Sequence, residues 1–120
     1  MPVSLLTDEI MANAKSYSDT ALVMISRTSA EGADLTEDVL RISDEERALV
    51  EKLNDNFKNI IVLFNISNII EMGFVDEYEN IKVAAAIWIP GEFGMLSVAD
   101  MLTGEINPSG RLADTVAYNV

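Results

Sequence analysis

The chain has 120 residues and contains neither cysteine nor histidine. The absence of cysteine excludes disulfide bonds and thiolate chemistry. The absence of histidine excludes a Ser-His-Asp triad and a His-ligated zinc site on this chain. Any proton transfer that this chain performs must therefore use carboxylates, lysine or tyrosine.

Basic residues and long hydrophobic runs are also scarce. Eight lysines and arginines stand against 20 aspartates and glutamates, which gives a formal net charge of −12. Such a surface repels phosphate backbones, so we expect neither nucleic acid nor an anionic membrane as a partner. No apolar run approaches the roughly 20 residues that a membrane span requires. The start of the sequence lacks the basic and apolar blocks of a secretory signal, which favours a cytoplasmic location without fixing it.

Three short apolar runs are present instead, and they predict strands. They are "TALVMIS" (20–26), "NIIVLF" (59–64) and "VAAAIWI" (83–89). None of them alternates polar with apolar residues, so each predicts a strand that is buried on both faces, as in a parallel sheet.

Helical patterns lie between and around these runs. Ser43 and Glu46 form a capping box in front of one helix, and Gly104 is placed to end another. The predicted helices cover residues 4–16, 44–57 and 92–103, with a short helix inside 68–78 that is broken near Gly73.

The alternation of strands and helices predicts the fold class. It indicates an α/β fold, flavodoxin-like or an α/β sandwich, with a small, mostly parallel sheet flanked by helices. We treat residues 1–120 as a single domain of this type. Three strands are few for such a fold. The chain is therefore expected to be part of a larger domain, or to pair through an exposed sheet edge, for example in a homo-oligomer.

Polar loops follow the predicted strands, at the edge where open parallel sheets collect ligands. The first loop, "SRTSAEGAD", contains Glu31, which could act as a general acid if it were partly desolvated. Arg27 in the same loop would favour the carboxylate instead. The alternatives are a solvated loop glutamate and an Arg27–Glu31 ion pair.

No cofactor or metal is expected. The Ser/Thr-rich first loop is similar to the FMN phosphate loop of flavodoxin-like folds, but several carboxylates crowd the same segment and would repel a phosphate. The sequence has neither G-x-G-x-x-G nor G-x-x-x-x-G-K. It also lacks the D-x-D-x-D-G spacing of a Ca²⁺ loop.

Two stretches together resemble glycoside hydrolase family 3. Residues 90–115, "PGEFGMLSVADMLTGEINPSGRLADT", follow the family pattern of Pro-Gly, an acid or amide, Gly, Ala-Asp-x-Leu-x-Gly, Asn-Pro-Ser-Gly-Arg-Leu and Thr. Residues 14–35, "AKSYSDTALVMISRTSAEGADL", resemble the strand and the R-x-S-x-E-G-x-D loop of β-glucosidase members. The chain departs from the family at Leu35 and Ala113, where Arg and Pro are usual. The resemblance covers about residues 8–118.

The resemblance implies an active site shared between two domains. In this family a (β/α)₈ barrel supplies an aspartate nucleophile, and the following α/β domain lends the acid/base glutamate, which corresponds to Glu31. A retaining β-glycosidase acting on β-linked glucosides or related sugars is implied, with Arg27 and Ser29 as candidate substrate contacts. The nucleophile's usual "S-D-W" context is absent, since the only tryptophan, Trp88, lies in a predicted strand and is expected in the core. We therefore expect this chain, without a barrel, to be inactive alone.

Two other interpretations stay open from the sequence. One is a non-catalytic carbohydrate-binding or structural module of the same ancestry, and the other is an unrelated flavodoxin-like binding domain. The residues of the stretch 90–115 are interpreted as structural: Gly91 and Gly94 for close backbone approach, Gly110 for a tight turn and Arg111 for pairing with an acid. The structural motif comprises Gly91, Gly94, Gly104, Asn107, Pro108, Gly110 and Arg111.

Overall fold

The computed structural model describes residues 3–28, 32 and 34–120 of the chain. A 3-10 helix at Val3–Leu5 precedes helix α1. The helices are α1 (Asp8–Tyr17), α2 (Glu37–Leu40), α3 (Asp44–Asn54), α4 (Phe74–Glu77) and α5 (Gly91–Thr103). The strands are β1 (Thr20–Ser26), β2 (Asn59–Asn65) and β3 (Ile81–Ala86).

The three strands form one parallel sheet in the order β1-β2-β3. The predicted class, a small parallel sheet flanked by helices, is therefore confirmed. Because all three strands run in the same direction, their carboxyl ends lie at one edge of the sheet, and the loops that follow them start there.

The core lies against one face of the sheet. The register pairs Val23 with Val62 and Ile25 with Phe64, which places these buried side chains on the same face. Buried residues of α3 and α4, among them Val50 and Phe74, complete the same hydrophobic cluster. The rings of Phe64 and Phe74 meet edge to face, with their centroids 6.1 Å apart.

The other face of the sheet is only partly covered by the described residues. Leu22 is 54% exposed and Met24 39% exposed, so β1 alternates between exposed and buried side chains. Val83 of β3, in line with Leu22 through Ile61, is 44% exposed. The prediction that both faces of every strand are buried is therefore wrong for these residues. An apolar run shows what a strand is able to bury, but not what is present to cover it.

The third strand ends earlier than predicted. It spans Ile81–Ala86, whereas the apolar run suggested 83–89. Trp88 lies beyond the strand with φ of 54°, a left-handed conformation that interrupts an extended chain, and it is 42% exposed. The expectation that Trp88 is a core residue of a strand is therefore wrong.

The helix boundaries were set by local signals where these were strong. Ser43 Oγ accepts from the Glu46 amide at 3.2 Å, and the Ser43 amide donates to Glu46 Oε2 at 2.8 Å, which confirms the capping box of α3. Gly104 ends α5 with φ of 82°. The helix inside 68–78 is reduced to α4, which starts directly after Gly73. Helix α2 has four residues and was not predicted.

The C-terminal residues dock against the segment before α4. The amides of Met72 and Gly73 donate to the carbonyls of Ala117 at 3.0 Å and Tyr118 at 2.7 Å. A Cβ atom at Gly73 would lie 2.5 Å from the Tyr118 carbonyl oxygen, so glycine allows this close contact.

Among the helices that the structure describes, none is both long and apolar enough to cross a bilayer.

Candidate functional site at the carboxyl edge of the sheet

The loops that follow the three strands meet in one cleft. Its lining contains Ser26, Arg27 and Thr28 from the end of β1, Asn65 from the end of β2 and Ile89 from the segment after β3. The main chain also connects the first two strands here, because the Arg27 amide donates to the Asn65 carbonyl at 3.3 Å. The loop that contains Glu31 thus begins at the edge where the sequence predicted a ligand site.

Arg27 forms an extensive network instead of pointing freely into solvent. Its Nε donates to Glu46 Oε1 at 3.0 Å, and its Nη2 donates to Glu46 Oε2, so the two side chains form a two-point ion pair. Nη1 donates to the Val39 carbonyl at 2.6 Å, and Nη2 donates to the Arg41 carbonyl at 2.7 Å. One guanidinium therefore joins the end of β1, the end of α2 and the first turn of α3.

Glu46 serves as both a helix cap and the ion-pair partner of Arg27. Its Oε2 accepts from the amide and the hydroxyl of Ser43, at 2.8 and 2.9 Å. Burial on its own would raise the pKa of the Glu46 carboxyl. The hydrogen bonds from Arg27 and Ser43 together outweigh the burial and hold that pKa below its ordinary value.

The lowered pKa of Glu46 predicts that the network is weakened in acid. When the pKa of a carboxyl is lower in the folded state than in the unfolded state, the carboxyl stabilises the fold at pH values above its unfolded-state pKa. This stabilisation is lost as the pH falls through the folded-state pKa. Glu46→Gln should lower the free energy of unfolding by about 1–3 kcal/mol at pH 7, with a smaller difference from the unsubstituted chain below about pH 4. Urea unfolding of both chains between pH 3 and pH 7 measures this difference. A difference that stays constant over this range would contradict the prediction.

Two of the predicted site residues, Glu31 and Ser29, lie outside the described residues. Their predicted roles as acid/base and substrate contact stay predictions, and so does the Arg27–Glu31 ion pair. Next to Glu31, Gly32 is described and has φ of +88°, which is favourable only for glycine. The third candidate, Arg27, lines the cleft, and its role as a substrate contact also stays a prediction.

The structural motif near the C-terminus is only partly explained by sterics. A Cβ atom at Gly94 would lie 2.9 Å from the Pro90 side chain, whereas Gly91 has open space around it and needs glycine because its φ is +64°. Gly110 also has open space, and its φ is outside the left-handed region, so neither sterics nor backbone strain requires glycine there, and its role in a tight turn stays a prediction. Arg111 forms no ion pair with any described residue. Instead Arg111 lines a cavity between β3 and α5 together with Pro108.

The sequence did not reveal the partners of Arg27. Glu46 was recognised as a helix cap, but no local pattern indicates an ion pair with a residue 19 positions away. The other two acceptors, the Val39 and Arg41 carbonyls, belong to the main chain, so the residue types at these positions do not indicate the bonds.

Within the described part of the chain, no group of three acidic side chains is arranged to hold a metal ion.

Comparison with known proteins gives a consistent match over nearly the whole chain. The sequence profile of the glycosyl hydrolase family 3 C-terminal domain matches residues 6–120. A β-glucosidase of Ruminococcus albus is 38% identical over 117 residues, which cover 96% of this chain and 12% of that protein. β-Glucosidase A of Butyrivibrio fibrisolvens is 31% identical over 136 residues, which cover 93% of this chain and 16% of that protein.

Solved structures show the same fold. A β-glucosidase from Paenibacillus barengoltzii superimposes with a TM-score of 0.85 and 38% identity, over 99% of this chain and 13% of that one. β-Glucosidase 3B from Thermotoga neapolitana in complex with glucose superimposes with a TM-score of 0.86 and 30% identity, over 99% of this chain and 17% of that one. The chain thus spans only 12–17% of the length of these relatives.

Proposed function

The chain belongs to glycosyl hydrolase family 3, whose C-terminal domain it matches over residues 6–120, and from this we propose that it carries the acid/base residue of a retaining β-glycosidase. The substrates are β-linked glucosides or related sugars, in keeping with the β-glucosidases that it resembles. Glu31 is the acid/base, and Ser29 is a candidate substrate contact. The nucleophile is supplied by a (β/α)₈ barrel, which this chain does not contain.

One structural observation carries the proposal. The loop that contains Glu31 follows β1 at the carboxyl edge of the sheet, beside a cleft that is lined by the ends of β1 and β2 and by Ile89 from the segment after β3. An open α/β sheet places its ligand sites at this edge. The cleft therefore lies where this loop begins, at an edge of the sheet where a sugar, and the domain that holds it, could be placed.

In the proposed mechanism one carboxyl group is the nucleophile and the other is the general acid and base. The barrel carboxylate attacks the anomeric carbon while protonated Glu31 donates its proton to the leaving oxygen, which breaks the glycosidic bond and leaves a glycosyl ester on the barrel. Glu31, now a carboxylate, then removes a proton from water as the water attacks the anomeric carbon. The ester bond breaks, and Glu31 is protonated again. Retention requires the two carboxyl groups to be about 5–5.5 Å apart.

The face of the sheet that the described residues cover only in part supports the view that this chain works within a larger assembly. Leu22, Met24 and Val83 expose apolar surface there, and water contact with such surface costs about 25 cal/mol per Å² relative to burial. We propose that another part of a longer enzyme covers it, with a second copy of the chain as the alternative.

We predict that the purified chain alone does not hydrolyse aryl β-glucosides, because one carboxyl group cannot perform both displacement and protonation. Release of 4-nitrophenol from 4-nitrophenyl β-glucoside should stay at the rate of the buffer, while far-UV circular dichroism confirms that the sample is folded. Hydrolysis by the wild-type chain that disappears in Glu31→Ala would show that the chain holds a complete catalytic centre, and the two-domain proposal would be wrong.

A further inference from the structure

We infer that Arg27 and Glu46 form a clamp that positions the acid/base loop. The clamp consists of the guanidinium of Arg27, the carboxylate of Glu46 and the carbonyls of Val39 and Arg41. This inference rests on the proposed function, because the loop matters for catalysis only if it carries the acid/base. It gives Arg27 the role of a positioning residue, whereas the sequence predicted a substrate contact.

The clamp joins the two ends of the segment that carries Glu31. Arg27 stands before this segment, directly after β1, and α2 follows it in the chain. The Arg27 side chain donates to the Val39 and Arg41 carbonyls. Four N–H groups of the guanidinium donate to described acceptors, out of the five that an arginine possesses. Few donors are left for a sugar hydroxyl, and the Arg27 side chain is only 16% exposed.

The far end of the clamp is itself fixed to the rest of the fold. The Ile42 amide donates to Glu71 Oε1 at 3.1 Å, and the Glu71 amide donates to the Leu40 carbonyl at 2.7 Å. Arg41 Nε donates to the Val120 carbonyl at 3.0 Å, which connects the same residues to the docked C-terminus. Arg27 therefore ties the loop to a supported part of the scaffold, and the planar, two-point geometry of arginine is difficult for lysine to reproduce.

A positioning role has a kinetic signature that differs from substrate binding. Displacing a catalytic group by about 1 Å can lower a rate by about 10²-fold. If the displaced group is a general acid, the loss falls on substrates whose leaving group must be protonated, such as alkyl β-glucosides. A 2,4-dinitrophenyl glucoside releases a stable anion and depends little on the acid. Loss of a substrate contact would instead raise KM for both substrates.

The test compares these two substrates in the longer protein that joins this chain to its barrel. Arg27→Gln, Arg27→Lys and Glu46→Gln are each expected to lower kcat/KM for an alkyl β-glucoside by about 10²-fold, mainly through kcat. The loss for 2,4-dinitrophenyl β-glucoside should stay below about 10-fold, since acid catalysis contributes little there. Lys58→Gln is the matched control, because Lys58 pairs with Asp19 at 2.7 Å at the opposite edge of the sheet. It should leave both rates unchanged.

Each alternative outcome overturns the inference. Unchanged rates in the Arg27 and Glu46 variants would remove the clamp from catalysis, and equal losses on both substrates with raised KM would make Arg27 a substrate contact. If Arg27→Gln does not fold, Arg27→Lys and Glu46→Gln, which preserve the size of the side chains, provide the same comparison. Glu31→Ala distinguishes failure of the proposed function from failure of the clamp. If Glu31→Ala does not slow hydrolysis of the alkyl glucoside, the proposed function is wrong. If Glu31→Ala slows it but the Arg27 and Glu46 variants do not, only the clamp is wrong.

Discussion

Replacing Glu31 by alanine is expected to slow hydrolysis of alkyl β-glucosides by about 10²–10⁴-fold in the longer glycosidase that we propose, which is the usual contribution of a general acid or base. Without the Glu31 proton the leaving oxygen departs as an alkoxide, and without its carboxylate the attacking water is not activated. For 2,4-dinitrophenyl β-glucoside the first step needs little acid help, so the glycosyl ester should accumulate in Glu31→Ala. The measurement is kcat/KM on both substrates, together with mass spectrometry of the trapped ester.

Azide provides the positive test of the same variant. Azide is a nucleophile that needs no general base, so it should restore turnover of the dinitrophenyl substrate by Glu31→Ala and give β-glucosyl azide as the product. Glu9→Ala is a suitable control, since Glu9 is exposed on α1, and its rates should equal those of the wild type without any azide effect. Wild-type rates in Glu31→Ala would remove Glu31 from the mechanism.

Replacing Phe74 by alanine is expected to lower the free energy of unfolding by about 3–5 kcal/mol, the range for removing a buried aromatic ring. Phe74 is 1% exposed and packs edge to face against Phe64 on the central strand. The loss is large compared with the total of about 5–15 kcal/mol that stabilises an ordinary domain. Urea unfolding followed by circular dichroism measures the change as a shift in the transition midpoint.

Phe93 offers a matched control for this substitution. It lies on α5 and is 81% exposed, so Phe93→Ala should change the free energy of unfolding by less than about 0.5 kcal/mol. A similar, small change in both variants would show that the ring of Phe74 is not part of a packed core, and would contradict the arrangement of α4 against β2.

The parts of the fold that were predicted correctly depend on local signals. Strand β1 was placed at 20–26, where the structure has it, because polar residues bound its apolar run. Glu46 and Gly104 mark a helix start and a helix end through contacts within one turn. The end of β3 was missed because Trp88 is apolar, and composition does not reveal its left-handed backbone. The exposure of Leu22 and Met24 depends on what covers the sheet, which no strand sequence contains.

The candidate site was predicted from a sequence motif and not from the spatial arrangement of its residues. Glu31 is predicted as the acid/base because it lies between Arg27 and Gly32 in a loop that resembles a family pattern. A single glutamate in a polar loop, without that pattern, is not distinctive. The partners of Arg27 depend on how α2 and α3 pack beside the end of β1. Contacts of this kind, with two of the acceptors on the main chain, leave no trace in the residue types of the sequence.

The distance between the Glu31 carboxyl and the nucleophilic carboxylate of the barrel tests the central claim most directly. It can be measured in a crystal structure of the proposed longer glycosidase with a 2-fluoroglucosyl group trapped on the nucleophile. We predict a separation of about 5–5.5 Å, as retention requires, with Glu31 directed at the leaving-group side of the sugar. Glu31 pointing away from the sugar, with another carboxyl in that position, would contradict the assignment.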